Sequence, residues 1–231
     1  MTIIADSLQA IQANIHAALL HANRHDKVQL LAVSKSQPAE KLREAYLHGQ
    51  FLFGENYVQE AISKQQQLSD LDIEWHFIGP IQSNKTQLIA QHFDWVHSVD
   101  RLKIAQRLSD ARPSTLPPLN ICIQINSSFE ATKSGADLAE AAQLAAAINQ
   151  LPNLKLRGVM SIPAPAKDYE TQRAQFKIVS DTYNSLKQQD FILDTLSIGM
   201  SDDYVAAIHE GATIVRVGSA LFGARPALTT Q

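Results

Sequence analysis

Several things are scarce in this chain of 231 residues. It has a single cysteine, Cys122. One thiol excludes an internal disulfide, and its place in the apolar run LNICIQIN makes it an inert packing residue. Charge of one sign is not in surplus either. Twenty Lys and Arg against 23 Asp and Glu leave a net charge of -3, so no general basic surface invites nucleic acid. Long apolar runs are absent, and none is long enough to span a bilayer. The N-terminus, MTIIADSLQAIQANIHAALLHANRHDK, lacks the basic start and unbroken apolar stretch of a signal peptide. Metal-binding spacing is missing: FDWV separates His92 from His97, and neither HExxH nor a Cys/His cluster occurs. There is no G-x-S-x-G elbow and no glycine-rich nucleotide fingerprint. The chain is expected to be cytoplasmic, with no metal, nucleic-acid or membrane partner.

What is present is an ordinary globular composition, 45% hydrophobic and 19% charged. Ser7 is expected to cap an N-terminal helix with Leu8, Ile11, Ile15, Leu19 and Leu20 as its apolar stripe. Beyond it, strand-like and helix-like segments alternate. The expected strands are residues 28–34, 51–53, 75–78, 95–99, 120–125, 155–160, 195–198 and 213–217. The expected helices are residues 39–49, 57–68, 83–92, 101–111, 136–151, 169–189 and 202–210. Alternation implies a parallel sheet, because each crossover must pass over a sheet face. Eight such units with no Gly/Pro-rich linker point to one domain over residues 1–231, a closed (β/α)₈ barrel with an extra N-terminal helix. An open doubly wound sheet is the alternative and would normally need fewer strands.

In such a barrel the chemistry sits at the carboxyl ends of the strands. The first strand, VQLLAVSK, ends on Lys35. Alternation puts Leu31, Val33 and Lys35 on one face. A lysine pointing inward loses hydration, its pKa falls, and a neutral amine forms Schiff bases; the alternative is a strand-end lysine that snorkels into water. On the last strand Arg216 shares the inner face with Ile214 and Gly218. It stays charged and needs an acceptor, either an interior acid or a ligand. Glu74 and Asp94 are the acids nearby, and both precede the strand interiors. Gly218 and Ser219 open a turn suited to a phosphate cradle. Ser201, in LSIGMSDD, either binds phosphate or caps a helix starting at Asp202. Asn56, in FGEN, is read as a helix cap that can also reach a ligand. His76 is read as a core histidine, and Lys133 as a loop lysine and reserve Schiff-base candidate. Residues 162–169 and 128–135 are candidate lids.

AVSK, FGENYVQE, WHFIGPIQSNK, KSG, LRGVMSIP, LSIGMSDD and VRVGSALFGAR follow one another in this order between residues 28 and 225. Together they resemble the pyridoxal phosphate homeostasis protein family, which is similar to the N-terminal barrel of alanine racemase, the third fold type of pyridoxal phosphate enzymes. The resemblance implies pyridoxal 5'-phosphate as cofactor, held as an aldimine on Lys35. It implies that Arg216 meets the pyridine nitrogen, that Gly218, Ser219 and Ser201 hold the phosphate, and that Asn56 lies beside the cofactor. Ile198 stands where that family usually has methionine, a change of little volume. An arginine at the ring nitrogen favours its unprotonated form and weakens the ring as an electron sink. Alanine racemases add a tyrosine from a further β domain at a dimer interface, whereas this chain ends at Gln231. The expectation is therefore a monomeric carrier in vitamin B6 homeostasis that passes its cofactor to apo-enzymes, with no catalytic residue. The alternatives are a racemase or decarboxylase using Tyr57, Tyr204 or His76 as second acid/base, and a cofactor-free Schiff-base aldolase.

Overall fold

A computed structural model describes residues 2–127 and 134–224. The first helix, α1 (Ile3–His21), is capped by Thr2, whose hydroxyl accepts from the Ala5 N–H at 3.4 Å. Ser7, expected as the cap, lies inside the helix. The apolar face is Ile4, Leu8, Ile11, Ile15, Ala18 and Leu19, while Leu20 is 60% exposed. Successive helical residues are about 100° apart, so Leu19 stays in line with Ile15 and Leu20 turns away. Past α1, Arg24 donates to the carbonyls of Ile208 (2.6 Å) and Ala212 (3.0 Å), tying the first helix to the last part of the barrel.

All eight expected strands form, with their edges moved by a residue or two. They are β1 (Gln29–Val33), β2 (Leu52–Glu55), β3 (Glu74–Phe77), β4 (Trp95–Val99), β5 (Leu119–Gln124), β6 (Leu154–Met160), β7 (Thr195–Ser197) and β8 (Ile214–Val217). Each pairs in parallel with the next, and β8 returns to β1, so the sheet is a closed barrel and not an open one. The alternation works as the sequence implies. Leu30, Ala32, Phe53, Val215 and Val217 pack into the layer between strands and helices. Leu31, Ile78 and Ile214 meet inside the barrel, and Trp95, Cys122 and Met160 fill its other side. Burial pushes the Cys122 thiol far up, which keeps it protonated.

The outer helices are α2 (Ala39–Leu47), α3 (Val58–Gln67), α4 (Thr86–His92), α5 (Leu102–Ala111), α6 (Ala141–Asn149), α7 (Tyr169–Gln188), α8 (Tyr204–His209) and the short α9 (Ser219–Phe222). Three differ from expectation. The segment before α4 is a separate 3₁₀ turn at Ser83–Lys85. The segment before α6 is a separate 3₁₀ turn at Leu138–Glu140. Helix α8 starts at Tyr204, because the Asp203 carboxylate accepts the Met200 N–H at 2.6 Å and holds the preceding residues in a turn. Asp202 and Asp203 therefore precede the helix. Among the described residues, no helix is long and apolar enough to cross a membrane.

The closing register pairs Leu31 with Arg216 and Ala32 with Val217. This puts the exit of the first strand beside the exit of the last. A Cβ on Gly218 would come within 3.1 Å of the Val33 carbonyl, so glycine lets the two exits close up.

Candidate functional site

The barrel brings Lys35, Asn56, Ser201, Arg216, Gly218 and Ser219 to one cleft of about 250 Å³ at the carboxyl ends of β1, β2, β7 and β8. Val33, Ile78, Ile162 and Met200 wall it, and Asp202 stands at its edge. A second cleft of about 410 Å³ shares Asn56, Ile78, Ile162 and Met200 and continues towards Gln124 and Ser134.

Lys35 sits two residues beyond β1, in a turn, and is half-buried. Its neighbours are anchored on the outer side of the barrel. Ser34 Oγ donates to Glu55 Oε1 at 2.6 Å, and its carbonyl accepts from Lys64 Nζ at 2.7 Å. The Ser36 N–H donates to Glu60 Oε1 at 2.5 Å, with Ser36 held in the left-handed region at φ 60°. With Ser34 and Ser36 pinned outward, Lys35 and Val33 face the cleft. Lys64 also bonds Glu55 at 2.7 Å and Glu60 at 2.6 Å. Burial pushes the Glu55 carboxyl up, and Lys64 opposes that shift.

Arg216 is 3% exposed. Its Nη1 donates to the Ser197 carbonyl (2.6 Å) and Ser197 Oγ (2.8 Å), and its Nη2 to the Ser161 carbonyl (2.8 Å). Burial pulls its pKa down to about 10, so it remains a cation near neutrality. The interior acids weighed from sequence are occupied elsewhere. Glu74 bonds His76, and Asp94 accepts the Trp75 N–H. Among the described residues, no carboxylate forms an ion pair with Arg216.

Asn56 is not a helix cap. Helix α3 begins at Val58 with Tyr57 in the capping position, and Asn56 Oδ1 is buried without a hydrogen-bond partner. Gly79 makes this placement possible, since a Cβ there would lie 2.4 Å from the Asn56 carbonyl oxygen. Ser201 is not a cap either, because Asp203 holds that position. Its hydroxyl lies 3.4 Å from that of Ser219, where α9 opens and the first N–H groups lack intrahelical acceptors.

His76 is a core histidine, fully buried and bonded to Glu74 and His97. Tyr57 is 58% exposed, Tyr204 packs in the outer core, and neither they nor His76 are among the described residues lining the cleft. Lys133 lies outside the described residues, as does most of the candidate lid at 128–135. Of the other lid, Ile162 lines the cleft. Sequence reasoning missed the Glu55–Lys64 anchor. Its signal was legible: Glu55 alternates outward after Phe53, and Lys64 falls on the stripe of Val58 and Ala61, which a lone lysine enters only with a partner.

The family model for the alanine racemase N-terminal domain matches residues 7–226. The pyridoxal phosphate homeostasis protein of Pseudomonas aeruginosa is 56% identical over 226 residues, covering 97% of each chain. That of Escherichia coli K12 is 51% identical over 229 residues, covering 97% of this chain and 98% of the relative. Among solved structures, PipY of Synechococcus elongatus PCC7942 with pyridoxal phosphate bound is 38% identical, with a TM-score of 0.84, covering 95% of this chain and all of PipY. An alanine racemase of Clostridium difficile 630 shares the fold at 18% identity, with a TM-score of 0.76 over 96% of this chain and 61% of the racemase. In sequence, in barrel closure and in the order of its rim motifs, this chain belongs to the alanine racemase N-terminal domain family and, within it, to the pyridoxal phosphate homeostasis proteins.

Proposed function

We propose that this chain holds pyridoxal 5'-phosphate covalently through Lys35 and serves cytoplasmic cofactor balance, without turning over amino acids. One observation carries the reading: an amine, a buried cation and a pair of hydroxyls converge on a single cleft. The residues suit the cofactor part by part. Arg216 has more N–H donors than its three protein bonds use, which suits a pyridine nitrogen. Asn56 Oδ1, buried without a partner, suits a ring hydroxyl. Ser201, Ser219 and the opening of α9 after Gly218 offer donors to a phosphate. Asp202 at the edge disfavours a second anion, so the phosphate depends on hydroxyl and backbone donors.

Bound there, the cofactor supplies an aldehyde that an amine captures with loss of water and that water or another amine can release. Amino-acid turnover needs a second proton-transfer group facing the first. The described lining residues include no tyrosine or histidine; the name of the homeostasis relatives supports the carrier reading, and PipY with pyridoxal phosphate bound supports binding of the cofactor. A reversible link on a monomer suits delivery to apo-enzymes. The test is loading followed by visible absorbance. Lys35→Ala should abolish the imine band while circular dichroism stays native; a band that survives contradicts the reading and points to another lysine. α-Proton exchange of amino acids in deuterated water should stay at the level of free cofactor. Rapid exchange by the loaded chain would favour the racemase alternative.

A further inference from the structure

The polar residues inside the barrel connect into one chain. Arg216 Nη1 bonds Ser197 Oγ at 2.8 Å, Ser197 Oγ bonds His97 Nδ1 at 2.9 Å, His97 Nε2 bonds His76 Nδ1 at 2.9 Å, and His76 Nε2 bonds Glu74 Oε1 at 2.8 Å. Ser197, His76, His97 and Arg216 are buried, whereas the Glu74 side chain is 44% exposed at the start of β3. The chain thus runs from solvent at the amino ends of the strands to the floor of the cleft at their carboxyl ends.

Its two ends and the neutrality of its imidazoles fix its direction. A guanidinium only donates, and an ionised carboxylate only accepts. Burial keeps both imidazoles neutral, so His76, donating from Nε2 to Glu74, accepts at Nδ1 from His97; Ser197 in turn accepts from Arg216 and donates to His97. His97 must accept at Nδ1 and donate from Nε2, and His76 must do the same towards Glu74. Each imidazole is neutral with its proton on Nε2. Burial pushes His76 below and His97 well below the usual histidine range, while the hydrogen bond from His76 keeps Glu74 low and ionised. Every dipole in the chain turns its acceptor end towards Arg216. Aligned hydrogen bonds polarise one another at low dielectric.

We propose that Glu74, His76, His97 and Ser197 form a one-way relay that makes Glu74 a remote counter-charge of Arg216, positioning the guanidinium as a fixed donor to the cleft. Asp203 acts on Arg216 through space without a hydrogen bond to it; the relay adds a hydrogen-bonded path to a second carboxylate, and the spare N–H groups are not drawn away from a ligand. These are positioning residues, acting through Arg216. The part of the proposal that concerns the cofactor rests on the function proposed above.

Nitrogen NMR of the ¹⁵N-labelled full chain reads the relay without cofactor. Both imidazoles should show the neutral Nε2–H tautomer. Glu74→Gln keeps an acceptor at an exposed position and removes the charge, so the imidazole N–H signals of both His76 and His97 should move. Ser197→Ala should move the His97 signals, shift the nitrogen resonance of bound ring-¹⁵N pyridoxal 5'-phosphate, and weaken its binding by about tenfold, the scale of one charge-assisted hydrogen bond. A His97 protonated on Nδ1, a Glu74→Gln response confined to His76, or a bound-ring signal indifferent to Ser197→Ala would each overturn the relay. Borohydride labelling of the unmodified chain separates the two proposals. If Lys35 takes no label, the binding reading fails, and the tautomers alone still decide the relay.

Discussion

Two buried cations, Lys64 and Arg216, are treated in opposite ways. Lys64 is 4% exposed and meets two carboxylates and a carbonyl. Arg216 is 3% exposed and meets two carbonyls and a hydroxyl. The first is a closed network on the outer side of β1 and β2, with its charge cancelled where it stands. The second, at the floor of a cleft, has no carboxylate hydrogen-bonded to it among the described residues, and Asp203 acts on it only through space. Lys64 holds the turn that aims Lys35, and Arg216 faces what Lys35 would capture. Burial alone therefore does not distinguish the two cations; their partners do.

Stability should break the comparison most sharply. Lys64→Met leaves Glu55 buried beside no cation and should cost roughly 3–5 kcal/mol in urea unfolding, whereas the further change Glu55→Gln should recover much of that loss. Arg216→Met abandons only neutral acceptors and should cost about 1–3 kcal/mol. The order should invert for the ligand. Arg216→Met should weaken pyridoxal 5'-phosphate binding by about tenfold to a hundredfold in equilibrium titration, the scale of hydrogen bonds from a charged donor. An equal effect of both variants on binding would erase the distinction.

Acid sharpens it further. His76 and His97 have folded pKa values depressed below the ordinary histidine value, chiefly by burial. Above an unfolded pKa of about 6.5, both states leave these imidazoles neutral and stability is fully present. As pH falls below that value, the unfolded chain takes up protons that the folded chain refuses, so stability declines towards the folded pKa values. The slope can reach about 1.4 kcal/mol per pH unit for each histidine. His97→Gln should flatten the fall of the urea midpoint between pH 6.5 and 5, and an unchanged slope would place the proton uptake elsewhere. The smallest expected effect concerns Cys122. With its thiol raised by burial, the native chain should resist alkylation at neutral pH, and labelling should appear only on unfolding.

The two cations also mark how far the sequence could be read. Alternation put Leu31, Val33 and Lys35 on one face and Arg216 with Ile214 on another, because a strand's period is fixed by its pleat. Parallel pairing then closed the barrel and brought Lys35 to Arg216 without further information. Local caps were harder. Ser7 and Asn56 are good capping residues, but Thr2 lay closer to the chain start, and Asn56 was drawn to the cleft by the close approach of Gly79. The relay was not legible at all. Ser197 and His97 lie 100 residues apart and meet across the lumen, and no local periodicity encodes a contact of that kind.

The most direct test is intact mass of the loaded chain before and after borohydride reduction, with peptide mapping of the added group. One pyridoxyl phosphate on Lys35, lost in Lys35→Ala, is the expected result. A label on any other lysine in the unmodified chain, or none under saturating cofactor, would contradict the account.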